Sequence, residues 1–339
     1  MRIEDFDYNL PSELIAQTPI EPRDSARLLV DQGSSIAPLH RHVSDFAEFC
    51  EPGDVIVVND TKVIPARLRL LRKTGGSAEV LLLEQSQTKA ATWEALIRPA
   101  KRLKVGESLF SGDGQEVVRI GERTIAGDTF SVQLQCSSQA EVEQMLLKVG
   151  EMPLPPYITA RLDRPDRYQT VYAQRPASAA APTAGLHLTE SLIEQIRAIG
   201  IEVLRVDLTV GLDTFAPVTE ANPLNHPMHS ERYRVSQETL DRCANANRVI
   251  AIGTTATRAL ESAAAGVLEG RTKLFISRGY EFKVVDLLLT NFHMPRTTLL
   301  MMIDAFVGSR WRDYYAQAIA EKYRMLSFGD AMLLDRHKS

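Results

Sequence analysis

The chain has 339 residues, 44% of them hydrophobic and 24% charged, which favours two domains and a sizeable packed core. The formal net charge of −4 excludes nucleic-acid binding through overall charge, so such binding would need a local basic patch. No stretch approaches the ~20 apolar residues of a membrane span, and the acidic N-terminus does not fit a signal peptide, so we expect a cytoplasmic protein without a membrane anchor. Cys50, Cys136 and Cys243 are too widely spaced for a C-x-x-C zinc site or a disulfide framework.

The first predicted elements are two short strands. Residues 27–30 have a strand pattern, and residues 55–58 form a continuous apolar run after the Pro52-Gly53 turn, typical of a strand buried on both faces. Asn59, Asp60 and Thr61 follow the second strand, where α/β proteins tend to place polar functional residues.

Residues 68–150 predict a separate β domain. Apolar or alternating segments at 67–72, 79–83, 93–97, 116–120 and 130–134 are separated by glycine-containing turns. Several short strands at roughly ten-residue spacing are typical of a small barrel or sandwich. We therefore expect a small β-barrel domain inserted into the main domain.

After the rigid Pro153-Leu-Pro-Pro156 segment, helix and strand patterns alternate. Helices are predicted at 189–197, 237–245, 257–265, 296–305 and 311–323, and strands at 201–210, 249–252 and 284–289. This order is typical of a parallel or mixed sheet. The predicted fold class is α/β, a layered α/β catalytic domain formed by residues 1–67 and 151–339 that carries the inserted β-barrel, 68–150.

His187 ends the segment Ala180-Ala-Pro-Thr-Ala-Gly-Leu-His187, in which Pro182 and Gly185 indicate a turn. Thr189 is a suitable N-cap for the helix that follows, and the helix dipole at that end disfavours a charged imidazole. A neutral histidine could act as a base or as a hydrogen-bond partner. The alternative is a capping or structural histidine.

Two further turns follow predicted strands. Asn291 and His293 come after the strand at 284–289, where α/β sheets often bind ligands. Thr254 and Thr255 lie in Ile252-Gly-Thr-Thr-Ala-Thr-Arg258, between a strand and a helix, where free N–H groups could hold an anion. This segment matches neither a P-loop nor the Rossmann glycine pattern. The alternatives are a loop histidine bonded to backbone and an ordinary capped helix start.

Two other clusters have weaker signals. In His226-Pro-Met-His229-Ser-Glu231, two histidines and a glutamate suggest a metal, but Pro227 argues against a regular helix and no third strong ligand is adjacent. We expect a hydrogen-bonding loop there and no metal. Basic residues at 67–73 and 98–104 are candidate phosphate contacts, with a solvated strand face as the alternative.

Taken together, these segments resemble one family, the S-adenosylmethionine:tRNA ribosyltransferase-isomerases of queuosine synthesis. The resemblance covers nearly the whole chain and rests on motifs that occur in a fixed order: Lys62-Val-Ile-Pro-Ala-Arg67, Gly150-Glu-Met-Pro-Leu-Pro-Pro-Tyr-Ile158, Tyr168-Gln-Thr-Val-Tyr172, the segment ending at His187, Met228-His-Ser-Glu231, Gly279-Tyr-Glu-Phe-Lys-Val-Val-Asp286 and Leu289-Thr-Asn-Phe-His293.

The chain departs from the family pattern at five positions. They are Thr209, Asp213, Ala216, Arg278 and Leu287, where the family often has histidine, glycine, arginine or another long polar residue, proline and glycine. Thr209 and Asp213 lie in one strand-end segment, 208–218, so no site residue is carried over there. A leucine at 287 could indicate a less open site or a repacked strand.

The resemblance implies a specific reaction. The chain would transfer and isomerise the ribosyl moiety of S-adenosylmethionine onto 7-aminomethyl-7-deazaguanine in the wobble position of a tRNA with a GUN anticodon. A base removes a proton from the ribose 5′-carbon beside the sulfonium, ring opening expels adenine, the amine attacks the sugar, and an alkoxide displaces methionine to close an epoxide. The product is epoxyqueuosine-tRNA. S-adenosylmethionine is then a co-substrate, and no metal or redox cofactor is needed, because each step is a proton transfer or a displacement at carbon.

That reaction assigns expected roles to the candidate residues. His187 and His293 would transfer protons, because imidazole titrates near neutral pH. The other expected substrate contacts are Glu231 and Asp286 for a histidine or the ribose hydroxyls, Asn291, Thr254 and Thr255 for the methionine carboxylate or sugar, and Asp60, Thr61, Lys62 and Arg67 for the deazaguanine or nearby phosphates.

The partners follow from the same resemblance. The β domain would contact the anticodon stem-loop, and we expect a monomer. Two other functions stay open from the sequence: an S-adenosylmethionine-dependent tRNA methyltransferase, although the usual glycine-rich first turn is missing, and a non-catalytic tRNA-binding protein.

Overall fold

The chain forms two compact units. The structure is a computed structural model that describes residues 1–34, 36–86, 88–89, 91–124, 127, 129–178, 180–211, 217–228 and 230–337. The first unit consists of Met1–Thr61, Pro155–Arg175 and Ala181–Ser339, and the second of Lys62–Leu154 and Pro176–Ala180. The predicted insertion, 68–150, falls within the main segment of the second unit.

The strands of the described residues are numbered in chain order. They are β1 (Arg27–Val30), β2 (Leu39–His42), β3 (Val55–Asn59), β4 (Thr61–Val63), β5 (Arg67–Arg72), β6 (Ser77–Gln85), β7 (Thr92–Arg98), β8 (Ser108–Phe110), β9 (Glu116–Arg123), β10 (Phe130–Leu134), β11 (Gly150–Glu151), β12 (Arg175–Ser178), β13 (Glu202–Leu208), β14 (Glu231–Val235), β15 (Val249–Ile252), β16 (Glu269–Thr272), β17 (Leu287–Asn291) and β18 (Ala331–Asp335).

The α-helices of the same residues are α1 (Gln139–Val149), α2 (Glu190–Ala198), α3 (Gln237–Ala244), α4 (Thr254–Ala263), α5 (Thr298–Val307) and α6 (Trp311–Ala320). Short 3-10 helices occur at Ile3–Phe6, Ser12–Leu14, Arg23–Ser25, Val43–Phe49, Pro165–Tyr168, Thr183–His187, Pro223–Asn225 and Gly308–Arg310.

The first unit is built on a mixed sheet. Its strand order is β16-β14-β13-β3-β15-β17-β18-β1-β2. The central strands β13, β3, β15 and β17 are parallel to one another, whereas β14, β16 and β2 pair antiparallel at the edges and β18 lies antiparallel to β17. The carboxyl ends of the four parallel strands therefore meet at one edge of the sheet, the place where such sheets bind ligands.

Both faces of the parallel strands are buried, as the apolar run at 55–58 predicts. Ile56, Ile250 and Leu289 share a core cluster with Leu192 and Ile196 of α2. Alternate residues of each strand point to the opposite face, where α4 packs against β13, β3 and β15. Burial of each such aliphatic side chain contributes about 1.5–3 kcal/mol, so the sheet is a stable support for its strand ends.

The helix starts show where local signals decide the structure. Thr189 caps α2 as predicted, because its hydroxyl accepts a hydrogen bond from the Leu192 N–H at 3.1 Å. The helix predicted to begin at 257 begins instead at Thr254. Gly253 adopts a φ of 89°, a left-handed conformation suited to glycine, and this lets the chain pass directly from β15 into α4.

The prediction for β17 is wrong at both ends, because the strand is Leu287–Asn291 and not 284–289. Glu261 of α4 is 4% exposed, and its carboxylate accepts hydrogen bonds from the N–H groups of Lys283, Val284 and Val285 at 2.9–3.0 Å. Since these groups are held by a side chain, they are not available for a sheet. The shift brings Asn291 into the strand itself.

The second unit contains a closed barrel. In the part of the chain that the structure describes, β5, β6, β7, β10, β9 and β8 pair in that order, and β8 pairs with β5 to complete the circle. Along β5, Leu68 and Leu70 are buried while Arg69 is exposed, the alternation expected of a barrel wall. The predicted fold class, a layered α/β domain with a small barrel, is confirmed.

Candidate functional site

The candidate site of the first unit lies where the parallel strands end. Asp60 follows β3, Gly253 follows β15, and His293 follows β17. A concavity opens there, and its wall is formed by Ala181, Pro182, Thr183, Ala184, Val210, Gly253, Thr254, Thr255, Thr290, Asn291, His293 and Leu299. A neighbouring concavity shares Thr183, Asn291, His293 and Leu299 with it. Five of the predicted site residues are thus close together or on adjoining strand ends, namely His187, His293, Asn291, Thr254 and Thr255.

Asn291 connects two of the predicted segments. Its Oδ1 accepts a hydrogen bond from the Thr183 hydroxyl at 2.9 Å, and its Nδ2 lies 3.0 Å from Nε2 of His187. The Asp330 carbonyl is 3.5 Å from the same Nδ2. Since an amide nitrogen only donates, Nε2 of His187 accepts, and its proton is on Nδ1. His187 is therefore held as one tautomer of the neutral ring.

His187 is the last residue of the 3-10 helix Thr183–His187, not the first turn of α2. Burial lowers its pKa from 6.5 to about 4, partly offset by a hydrogen bond to the Arg23 backbone. The predicted neutral ring is thus found, but burial and not the dipole of α2 is the cause. Both ring nitrogens are engaged, one by Asn291 and the other by Arg23.

Gly185 is required by a close approach in this turn. A Cβ placed on it would lie 1.9 Å from the hydroxyl oxygen of Tyr172, far inside van der Waals contact. The residue is therefore fixed by packing against Tyr172, and its φ is not in the left-handed region.

His293 has a different environment. Nε2 lies 3.0 Å from the Thr290 hydroxyl, and Nδ1 has no hydrogen-bond partner among the described residues. The backbone is fixed on both sides: the His293 N–H donates to the Tyr315 hydroxyl at 2.9 Å, and the His293 carbonyl accepts from the Tyr8 hydroxyl at 2.6 Å. Burial lowers the pKa of His293 to about 3. Because a hydroxyl can donate or accept, Nδ1 can carry either a lone pair or a proton.

Thr254 and Thr255 form the first turn of α4 and line the larger concavity. Both are 7% exposed, and the Thr255 hydroxyl is buried and forms no hydrogen bond with the described residues. Backbone N–H groups in a first helical turn have no partner within the helix. The turn is therefore suited to an anionic or hydroxyl group, as the sequence predicts.

Glu231 and Asp286 are not brought together with the histidines of the site. Glu231 begins β14, is 7% exposed, and forms a buried ion pair with Arg258. Asp286 precedes β17, whereas Asn291 ends it, and a rise of ~3.3 Å per residue separates them by roughly 16 Å. Asp286 accepts hydrogen bonds from the Val249 N–H and from Arg336. Neither carboxylate is among the described hydrogen-bond partners of His187 or His293, and the expectation that Glu231 and Asp286 contact a histidine or the ribose hydroxyls stays a prediction.

Asp60 lies in a buried acidic cluster of the first unit. It is 2% exposed, its Oδ1 has no hydrogen-bond partner within the described ranges, and burial raises its pKa. Asp207 of β13 has a pKa raised by burial and by Asp60, and Arg175 lies 3.8 Å from one carboxylate and 3.9 Å from the other. Thr61, also buried, follows at once. The cluster is suited to a cationic or hydrogen-bond-donating group.

Lys62 and Arg67 belong to the second unit. Lys62 is exposed. Arg67 donates to the Leu154 carbonyl at 3.4 Å, and its Nε is 4.0 Å from Glu79. The expected grouping of these two residues with Asp60 and Thr61 stays a prediction.

The basic clusters of the second unit are only partly available. Arg69 pairs with Glu151 at 2.9 Å and Arg72 with Glu107 at 2.6 Å, so both side chains are neutralised locally. Within the two basic clusters, 67–73 and 98–104, the exposed members that form no ion pair with the described residues are Lys73, Arg98, Lys101, Arg102 and Lys104. These five are the stronger candidates for phosphate contacts.

The described residues contain no group of three or more His, Cys, Asp or Glu side chains suited to a metal; His229 lies outside them. Within the same part of the chain, no helix combines the length and apolar character that crossing a membrane requires.

The structure shows the contacts of three of the five residues that depart from the family pattern. Arg278 forms two 3.0 Å hydrogen bonds with Asp304 of α5. Leu287 packs in the core at the start of β17, away from the site, which favours a repacked strand. The Thr209 N–H donates to the Arg232 carbonyl at 2.9 Å. Asp213 and Ala216 lie outside the described residues.

Several residues of the site were not predicted individually. Thr183 and Arg258 lie inside motifs that the sequence identifies, whereas Thr290 and Asp207 lie within strands. A hydroxyl or carboxylate at the end of a buried strand could have indicated these residues. To use that signal, one must already know which strands are parallel.

Comparisons with known proteins agree with this arrangement. The sequence model of a family described as "Queuosine biosynthesis protein" matches residues 3–334. An S-adenosylmethionine:tRNA ribosyltransferase-isomerase from Staphylococcus epidermidis is 45% identical over 98% of this chain and 100% of its own length. One from Moorella thermoacetica is 48% identical with the same coverage. The crystal structure of an S-adenosylmethionine tRNA ribosyltransferase from Thermotoga maritima is 34% identical, with a TM-score of 0.54 over 97% of this chain and 99% of that one.

Proposed function

Since this chain belongs to the queuosine biosynthesis family of S-adenosylmethionine:tRNA ribosyltransferase-isomerases, we propose that it transfers and isomerises the ribosyl group of S-adenosylmethionine onto 7-aminomethyl-7-deazaguanine in tRNA. The product is epoxyqueuosine-tRNA, and adenine and methionine leave. The wobble position of tRNAs with a GUN anticodon is the target.

One observation carries the proposal: a neutral imidazole, that of His293, lies at the parallel strand ends, and one of its nitrogens has no partner among the described residues. The sulfonium of S-adenosylmethionine makes the ribose 5′-carbon acidic, and the first step needs an uncharged base beside it. The positive sulfonium further disfavours a protonated ring. A histidine with its pKa lowered by burial therefore keeps its lone pair close to the cation.

The two histidines have different roles in this proposal. His293 transfers the proton, because its Nδ1 is unpartnered and the ring lines both concavities. His187 holds Asn291, because its Nε2 accepts the Asn291 amide and Arg23 engages the other side. Asn291 then presents its amide to the sugar.

The remaining contacts follow from charge. Thr254 and Thr255 bind the methionine part or the sugar through the first turn of α4. Asp60 and Thr61, with Asp207, bind the aminomethyl-deazaguanine, whose ammonium group is a cation and loses a proton to a base before its nitrogen attacks. Lys62, Arg67 and the exposed basic residues of the second unit contact phosphates of the anticodon stem-loop.

No metal or redox cofactor takes part in this scheme, because each step is a proton transfer or a displacement at carbon. We place the reaction in the cytoplasm and expect the chain to act as a monomer.

The test is incubation of the purified protein with S-adenosylmethionine and precursor-bearing tRNA, followed by mass analysis of nucleosides and small products. The expected result is epoxyqueuosine together with free adenine and methionine. Release of S-adenosylhomocysteine would instead identify a methyltransferase. Salt-dependent tRNA binding without any product would identify a non-catalytic binding protein.

A further inference from the structure

Arg258 of α4 has an unusual buried environment. The side chain is 5% exposed, and one terminal nitrogen, Nη1, forms the ion pair with Glu231. The other two nitrogens, Nε and Nη2, are buried and have no hydrogen-bond partner among the residues that the structure describes. Half of a buried, permanently charged guanidinium is therefore unsatisfied.

That arrangement is destabilising unless another group completes it. A buried donor without a partner loses its hydrogen bonds to water, and the loss is larger when the donor is charged. The Nε–Nη2 edge offers two parallel N–H groups, the geometry that binds both oxygens of a carboxylate. A carboxylate at this edge would satisfy both donors at once.

The position of Arg258 relates this edge to the candidate site. Thr254 and Thr255 precede it by four and three residues, spacings that put the three side chains on one face of α4. Helical side chains lean towards the N-terminus, so we expect Arg258 to reach towards the turn of Thr254 and Thr255, which line the concavity.

A second, independent feature of that turn points to the same kind of ligand. The Thr255 hydroxyl is also buried without a partner in the described part of the chain, and the first-turn N–H groups carry the positive end of the helix dipole. Asn291 and His293 line the same concavity.

We propose that Arg258, with Thr255 and the first turn of α4, binds the α-carboxylate of the methionine part of S-adenosylmethionine; this rests on the proposed function. A tRNA phosphate has related chemistry, but the small exposed fraction of Arg258 favours a terminal carboxylate over a group within a polymer. The site fixes the methionine end, so that the ribose 5′-carbon is presented to His293.

The experiment measures binding without tRNA, by calorimetry, of S-adenosylmethionine and of decarboxylated S-adenosylmethionine, which lacks only the carboxylate. The wild-type chain should bind the first at least ~10-fold more tightly, since two charge-assisted hydrogen bonds are involved. In Arg258→Gln the affinity for S-adenosylmethionine should fall ~10–100-fold while that for the decarboxylated compound changes little, so the ratio approaches one.

Matched variants separate binding from folding. Glu231→Gln breaks the same ion pair but keeps the Nε–Nη2 edge, so its affinity ratio should stay close to that of the wild type. Arg258→Lys keeps the positive charge but lacks the two parallel N–H groups, so it should recover only part of the affinity ratio between the two compounds. Thermal unfolding of each variant, and of the Glu231→Gln/Arg258→Gln double variant, shows which chains are folded when measured.

The outcomes are distinct. The proposed carboxylate site would be overturned by an equal loss of affinity for both compounds in folded Arg258→Gln. It would also be overturned if the wild-type chain bound the two compounds with nearly equal affinity. If epoxyqueuosine still forms in those cases, the proposed function stands. If the wild-type chain binds neither compound and makes no product, the proposed function fails as well.

Discussion

The turn that carries His187 and the strand end that carries His293 are both buried, but the two imidazole rings differ in their hydrogen bonds. Burial lowers both pKa values, to about 4 and about 3. His187 is bonded on both sides, whereas His293 is bonded through Nε2 and keeps Nδ1 unpartnered among the described residues. A lowered pKa alone would not distinguish the two rings.

The difference shows that the hydrogen bonds of each ring nitrogen distinguish an imidazole that can react from one that supports a neighbouring side chain. A base must have a lone pair that it can use in a plausible substrate pose. The His187 lone pair is already accepting a hydrogen bond from Asn291, so its use would cost that bond. The predictions below test this contrast.

The largest effect is expected from His293→Gln, which removes the imidazole while keeping a polar side chain. Loss of the acid/base group should lower kcat by ~100-fold or more. Single-turnover formation of epoxyqueuosine at saturating S-adenosylmethionine is the measurement, and circular dichroism is the folding control. A loss below tenfold would remove His293 from the chemistry.

The second effect concerns acid stability. The folded pKa of His187 is lowered from 6.5 to about 4, so below pH 6.5 the unfolded chain binds a proton that the folded chain does not. The free energy of unfolding should therefore fall with falling pH, by about 1.4 kcal/mol per pH unit for each such histidine. Urea unfolding from about pH 7 to about pH 5 should show a shallower slope in His187→Gln. An unchanged slope would contradict a neutral, buried His187.

A smaller effect is expected from His187→Gln on turnover. The glutamine carbonyl can accept the Asn291 amide hydrogen bond, so kcat should fall by less than ~10-fold when the residue only supports Asn291. The comparison is made under the conditions used for His293→Gln. A decrease as large as in that variant would place His187 in the proton transfer and reverse the ranking.

The smallest effects are expected in the second unit. Lys101→Gln/Arg102→Gln should weaken tRNA binding only a few-fold and reduce its salt dependence by roughly one unit of slope per lost phosphate contact. Arg69→Ala is the matched control, because Arg69 is already paired with Glu151 on the surface, and its removal should change stability by less than ~1 kcal/mol. Filter binding at several salt concentrations distinguishes the two; equal effects would contradict the assignment of phosphate contacts.

Much of the fold could be predicted from the sequence. The apolar run at 55–58 predicted a doubly buried strand, and regularly spaced turns predicted the barrel. Helix α1, which Ser138 caps through the Glu141 N–H, and strands β14 and β18 were not predicted, because their patterns are short or mixed. The start of β17 could not be found locally, since Glu261, distant in sequence, holds the N–H groups of 283–285.

The candidate site could be predicted only in part. Asn291, His293, Thr254 and Thr255 were predicted at or just after the ends of strands, and the structure places all four around one concavity. The role of Asp286 stays a prediction, and its position before β17 could not be read from the motif, because a sequence motif does not show at which end of a strand its acidic residue lies. Arg258 and Asp207 depend on which strands and helices are neighbours, so their environments are tertiary properties.

Glu261 fixes α4 to the segment before β17, and α4 thereby sets the distance between two walls of the concavity. The first turn of α4 carries Thr254 and Thr255, while the Glu261 carboxylate near its other end fixes the backbone that enters β17 and leads to His293. Sliding of the helix along its axis would break three hydrogen bonds to a charged group, each worth about 1.5–3 kcal/mol. The separation of the two walls is thus set before a substrate arrives, and that preorganisation reduces the entropy lost on binding.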